Sequence, residues 1–223
     1  MTERLELLVK NKINDIKNIH VLILGLGGVG GYACESIVRC GIKEITIIDN
    51  DKIDLSNLNR QIIATHDTIG MYKTDAFEKR IKSINPDIVI NKITDYITPD
   101  NIDMIFKKNI DYVIDCCDSI KTKEALISYC TSNNIKLISS MGTGNKLHPE
   151  KLKIMKLKDT SYDSIAKRLR KYVKDNKIYK DIYVVCSDEE KVVEVTDKIP
   201  SNSFVPATSG LLCTSFIIND IMK

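Results

Sequence analysis

The chain has no tryptophan among its 223 residues and only 6% aromatic residues, so aliphatic side chains must fill whatever core it builds. It also lacks any run of 18 apolar residues, the length needed to cross a bilayer as a helix. Met1-Thr2-Glu3-Arg4 does not open the long apolar region of a secretory signal. Seven cysteines occur, an odd number in no regular spacing and without a C-x-x-C pair. That pattern argues against a disulfide framework and against a structural zinc site, and adjacent Cys116 and Cys117 are too close to chelate one metal well. Histidine is scarce too: His20, His66 and His148 have no evident partners in the pattern. These absences point to a soluble, cytoplasmic protein with no membrane partner.

What is present begins with Gly25-Leu26-Gly27-Gly28-Val29-Gly30, reached by the apolar run Val21-Leu22-Ile23-Leu24. A buried strand, a glycine turn and a helix start are the expected reading. In G-x-G-x-x-G, Gly25 permits the tight turn, Gly27 admits a phosphate close to the backbone, and Gly30 allows close helix–strand packing. Gly28 lies within the same turn. The helix start supplies free N–H groups and a positive dipole end, which favour an anion. A second strand, Glu44 to Ile48, ends in Asp49, about 20 residues beyond the glycines and placed to accept hydrogen bonds from a ribose.

Alternation continues along the chain. Residues 5–17 predict one helix, with Leu5, Leu8, Val9, Ile13 and Ile16 on its apolar face. The polar segment Asn50 to Gln61 reads as a loop at a strand's C-terminal end, where open α/β sheets bind ligands. Lys73 opens a helix closed by Asn85-Pro86, a poor place for a cation unless an anion faces it. Further strands are expected at 88–93, at 112–119 (ending in two carboxylates and a serine) and at 136–140, and helices at 99–107 and 121–132, the latter capped by Ser119 or Asp118. The fold class is therefore α/β: a Rossmann-like, doubly wound, mostly parallel sheet with an antiparallel C-terminal extension. One domain is expected over 1–223, with a nucleotide-binding part over 1–145 and a basic extension over 146–223. Its closing helix is placed at 211–221, packing through Leu212, Ser215, Phe216 and Asn219.

Charge is unevenly distributed. The net charge is +3, yet residues 146–180 hold twelve basic and four acidic side chains, leaving the remainder acidic. A one-sided basic stretch is the footprint of a polyanion partner. Near the glycine turn stand Asp49, Asn57, Arg60, Lys73 and Asp118. A dinucleotide oxidoreductase needs the glycines and one acid, and has no use there for two cations and a second aspartate. A nucleoside triphosphate suits the set better: Arg60 and Lys73 for β- and γ-phosphates, Asp118 for Mg²⁺, Asp49 for the ribose.

The arrangement Gly25–Gly31, Asp49-x-Asp51, Asn57-Leu58-x-Arg60-Gln61, Lys73 and Asp115-Cys116-x-Asp118 resembles the ubiquitin-activating-enzyme-like (ThiF-type) family of ATP-dependent adenylating enzymes. The resemblance covers nearly the whole chain. It implies ATP and Mg²⁺ as cofactors, Asp49 and Asp51 in the nucleotide site, Asn57, Arg60 and Lys73 at the phosphates, and Asp118 at the metal. It further implies a homodimer in which Arg4 reaches the partner copy's site. Sulfur-carrier activators of the family usually carry two C-x-x-C pairs, which this chain lacks. Thr98-Pro99-Asp100-Asn101, Ser203-Phe204-Val205-Pro206 and Ser209-Gly210 instead resemble the branch that dehydrates threonylcarbamoyladenosine in tRNA, with the basic stretch 146–180 gripping the tRNA. Adenylation of the C-terminal glycine of a ubiquitin-like carrier is the alternative, and Cys186 would be its nucleophile. On the dehydratase reading Cys186 is a small buried hydrophobe.

Overall fold

A computed structural model describes residues 1–194 and 198–223. Seven strands form one sheet: β1 (His20–Leu24), β2 (Glu44–Ile48), β3 (Val89–Ile93), β4 (Tyr112–Asp115), β5 (Lys136–Ser140), β6 (Leu152–Lys156) and β7 (Tyr183–Ser187). Their order is β3-β2-β1-β4-β5-β7-β6. Every pairing is parallel except β6 with β7. The doubly wound sheet and its antiparallel extension are thus both observed.

Side-chain alternation along the strands explains the layers. Val21 and Ile23 of β1 pack with α3 (Gly30–Arg39), α4 (Lys73–Ile84) and α7 (Phe204–Ile221) on one face. Leu22 and Leu24 pack on the other with the 3₁₀ segment Pro99–Phe106, α5 (Ile120–Ser132) and α6 (Ser164–Asp175). β6, β7, α6 and α7 join these two cores instead of building a third, so the extension is continuous with the glycine-turn half.

Four expectations need correction. The N-terminal helix is broken into α1 (Glu3–Val9) and α2 (Ile13–Lys17) around Lys10, which has a φ of 52°. The break lets Val9 and Ile16 bury while Leu7 and Leu8 stay exposed. Segment 99–106 is 3₁₀ throughout, held at its start by the reciprocal Thr98–Asn101 capping box. His20 opens β1 and is not without a partner: its Nε2 lies 2.8 Å from Thr46 Oγ1. The closing helix starts at Phe204, seven residues before the expected position, because Pro206 suits a first turn. Its buried face is Val205, Ser209, Gly210, Cys213 and Ile217, whereas Asn219 is exposed. By length and mean hydropathy of 1.3 this helix could cross a membrane. In the structure that apolar face lies against α3, where Thr214 Oγ1 donates to Ala33 O at 3.2 Å.

Candidate nucleotide site

The strand order reverses between β1 and β4, and their diverging connections open a crevice at the C-terminal edge of the sheet. A cleft of about 510 Å³ occupies that place. Gly25, Gly27 and Gly28 form one wall, Asp49 and Asp51 a second, and Asn57, Arg60, Lys73 and Asp118 complete it. Two of the expected residues stand elsewhere. Gly30 is buried beneath the turn in α3. Arg4 is exposed on α1 and does not line the cleft of its own chain.

The glycine turn is dictated locally. Gly25 has a φ of 89°, in the left-handed region, and a Cβ there would lie 2.8 Å from Cys116 O. A Cβ on Gly30 would lie 1.7 Å from Gly25 O, an impossible contact. Asp49 fastens this turn to β2: its Oδ2 accepts the Leu26 N–H at 2.7 Å, and its Oδ1 accepts the Asp51 N–H at 2.8 Å. Each carboxylate oxygen retains a second lone pair for a further donor.

The polar loop after β2 is organised by a reciprocal cap. Asp54 accepts from Ser56 N–H at 2.8 Å, and Asn57 Oδ1 accepts from Asp54 N–H at 3.1 Å. That fixes the Asn57 amide by its oxygen and leaves its two N–H donors for another acceptor. Arg60 is steadied by Nη1 donating to Ser56 O at 3.0 Å and to Asn59 Oδ1 at 2.8 Å. Lys73 is only 5% exposed although it begins a helix. Its Nζ donates to Asp51 Oδ2 at 2.6 Å and lies 3.6 Å from Asp49 Oδ1, which compensates its burial beside the dipole. Ser119 is the cap of α5, its Oγ accepting Thr122 N–H at 3.3 Å. Asp118 is therefore free of capping and stands exposed at the end of β4.

Other features were not anticipated. Asp95 and Tyr96, following β3, also line the cleft; their position after a strand end was the available signal. Behind Asp118 lies a buried ion pair, Lys123 Nζ to Asp115 Oδ2 at 3.0 Å. Lys123 also donates to Ser139 Oγ at 3.2 Å and Ser140 O at 3.0 Å, while Asp115 Oδ1 accepts the Cys117 N–H at 3.1 Å. Burial is the largest single influence and depresses the Lys123 ammonium, but the charge and hydrogen bond of Asp115, together with the neighbouring Cys117 and Cys116, outweigh it and push it up to about 12. In the second half, Cys186 is 1% exposed, and burial together with the Asp163 charge pushes its thiol up to about 12. Such a thiol is not a nucleophile near neutral pH.

Residues 2–189 match the ThiF family. The chain belongs to that family. A tRNA threonylcarbamoyladenosine dehydratase of Bacillus subtilis is 35% identical to this ThiF-family chain over 96% of it and 91% of the relative. The Escherichia coli enzyme of the same name is 38% identical over 70% of the chain and 59% of the relative. Crystal structures of the Escherichia coli dehydratase in complex with AMP and with ATP superpose with a TM-score of 0.89. Their identities to this chain are 33% and 32%, and each comparison covers 96% of it and 89% of the solved chain.

Proposed function

We propose that this ThiF-family chain dehydrates threonylcarbamoyladenosine in tRNA, closing a ring at the expense of ATP. The observation that carries the reading is the near-full-length likeness to an ATP-bound dehydratase, joined to a cleft with polar groups of the right kind at the switch point. In the reaction the threonyl carboxylate oxygen attacks the α-phosphorus of ATP and the bond to the β-phosphate breaks, releasing pyrophosphate. The neighbouring carbamoyl nitrogen then attacks the activated acyl carbon, loses its proton, and expels AMP. The nucleoside is lighter by one water.

Each side chain has a part that follows from its setting. Asp49 has lone pairs left for ribose hydroxyls, and Asn57 has free N–H donors for phosphate oxygens. Arg60 and Lys73 oppose the charge gathering on departing pyrophosphate, which is electrostatic stabilisation by pre-placed groups. Five carboxylates line the cleft (Asp49, Asp51, Asp54, Asp95 and Asp118) against three cations (Lys52, Arg60 and Lys73). That excess of negative charge disfavours a bare triphosphate and suits its complex with a divalent cation. Asp118, exposed and uncommitted, would hold Mg²⁺, which takes one or two carboxylates with phosphate oxygens and waters instead of a protein cage.

The exposed position of Arg4, outside its own cleft, supports a homodimer in which it completes the partner's site. The neighbouring exposed Leu7 and Leu8 offer apolar surface for the contact. Basic stretch 146–180 would take the tRNA backbone, and a tRNA substrate implies a cytoplasmic enzyme. The test supplies purified protein with MgATP and tRNA carrying the modification, then weighs the nucleoside after gentle digestion. ATP-dependent loss of one water is expected. An unchanged nucleoside from a protein that binds ATP would overturn the reading, and pyrophosphate exchange driven by Gly-Gly tails would then indicate a carrier-protein substrate.

A further inference from the structure

A second concavity, of about 400 Å³, lies at the opposite end of the sheet from the cleft. Leu157 and Ile182 line it, just after β6 and just before β7, and the Leu157 N–H donates to Ile182 O at 2.7 Å. Because β7 runs parallel to β1 through β5 and β4, this is the edge where the parallel strands begin. Val173 and Ile178 add apolar surface, and the volume falls in the range of small-ligand pockets (roughly 300–1,000 Å³).

The rim is strongly basic. Lys156, Lys158, Arg170, Lys174 and Lys180 surround a single carboxylate, Asp181. Four of these cations are held in place by neighbours. Lys156 and Lys158 pair with Asp181 at 2.7 and 3.0 Å. Arg170 Nη1 donates to Thr160 O at 2.8 Å, and Lys180 Nζ to Thr131 O at 2.9 Å. The Lys174 ammonium makes no hydrogen bond or ion pair among the described residues. Tyr179 lines the same concavity and is 89% exposed, so its ring is almost wholly available for contact.

An exposed aromatic ring above an apolar floor, ringed by ordered cations, is the chemistry that binds a nucleobase and its phosphates. Its distance from the cleft identifies the kind of ligand. Helix α6 joins the two ends: Asp163, its cap, accepts the Gly142 N–H at 3.1 Å beyond the end of β5, and Lys174 lies at its far end. Twelve helical residues rise about 18 Å. A free mononucleotide cannot reach both places, whereas a structured RNA can.

We propose that this concavity is a second tRNA contact, in which an unpaired or splayed base stacks on Tyr179 while its backbone phosphates meet Lys174 and the Lys156–Lys158 pair. The inference rests on the tRNA reading above and names a site that reading does not require. It also separates two contributions along the basic stretch: ionic contacts spread along α6 and one stacking contact at its end.

The test measures tRNA binding by fluorescence anisotropy as a function of salt for wild type, Tyr179→Ala, Tyr179→Phe and Lys174→Gln. Tyr179→Ala should weaken binding by about fivefold or more without changing the slope of log affinity against log salt, because stacking releases no counterions. Tyr179→Phe should bind like wild type. Lys174→Gln should reduce the slope by about one. ATP binding should be equal in all four. Wild-type affinity in Tyr179→Ala, or equal weakening in Tyr179→Phe, would overturn the stacking site while leaving the dehydratase reading intact. Absence of tRNA binding by the wild-type protein would remove both.

Discussion

Lys123 and Asp115 form a wholly buried ion pair at 3.0 Å directly behind the strand end that presents Asp118. The two side chains are 1% and 0% exposed. With Ser139 Oγ donating to Asp115 Oδ2 at 2.5 Å, they tie together β4, β5 and α5, and so hold one edge of the cleft.

Replacing Lys123 by Met should be among the most destabilising single changes in the chain. It leaves the Asp115 carboxylate buried without its countercharge, a loss of about 3–5 kcal/mol. A fall in Tm on the order of 10 °C follows for a chain of this size. The pH dependence has a definite sign. The folded-state pKa of Lys123 lies near 12, above the ordinary 10.5, so its contribution is full below 10.5 and disappears as pH rises through 12. Urea melts should therefore separate wild type from variant fully at pH 9 and by less as pH approaches 12; a gap that does not narrow would show that the Lys123 charge is not its source.

The glycines separate folding from binding. Gly30→Ala places a methyl on Gly25 O and should prevent a native fold or lower Tm severely. A Cβ on Gly27 meets only Gln61 Nε2, at 3.8 Å, so Gly27→Ala should fold normally. That methyl nevertheless projects where a phosphate would approach, and ATP affinity measured by calorimetry should drop by tenfold or more, on the order of a lost steric fit. Equal ATP affinity in a folded Gly27→Ala variant would place the nucleotide elsewhere.

Arg60→Ala should leave Tm nearly unchanged, since its guanidinium contacts only loop groups, and should slow pyrophosphate release by about 10²–10³-fold. Lys73→Ala should do both kinds of damage, because removing the ammonium leaves buried Asp49 facing Asp51 without a cation between them. Undiminished pyrophosphate release by Arg60→Ala would cancel its phosphate role.

Cys186→Ala should retain turnover within about a factor of two, at a small stability cost for the lost sulfur atom. The thiol is buried and its pKa is pushed up to about 12, so N-ethylmaleimide should leave Cys186 unmodified in the folded protein. Complete loss of activity in a Cys186→Ala variant with an unchanged melt would restore a thiol mechanism, and with it the carrier-protein substrate.

Local pattern carried much of this protein. The run Val21 to Leu24, the glycines, and Asp49 at the end of the next apolar strand encode interactions within a few residues or across one βαβ unit, where spacing determines geometry. Ser119 as a cap and Lys73 at a helix start were legible for the same reason. The gathering of Arg60, Lys73 and Asp118 into one cleft follows from parallel strands, since every strand end then arrives at the same edge of the sheet.

Contacts between distant segments were decided only in three dimensions. Lys123 reads as one more lysine in a lysine-rich helix, and only the approach of β5 to β4 makes it the partner of Asp115. The buried face of α7 depends on how that helix crosses α3, because an apolar helix with polar residues interspersed has no single obvious stripe. Arg4 lies outside its own cleft because its neighbours Met1 and Thr2 pack against Gly41, a contact many residues along the chain. Sequence alone determines which chemistry these residues possess; tertiary packing determines which of them meet, because burial and charge pairing depend on neighbours many residues away.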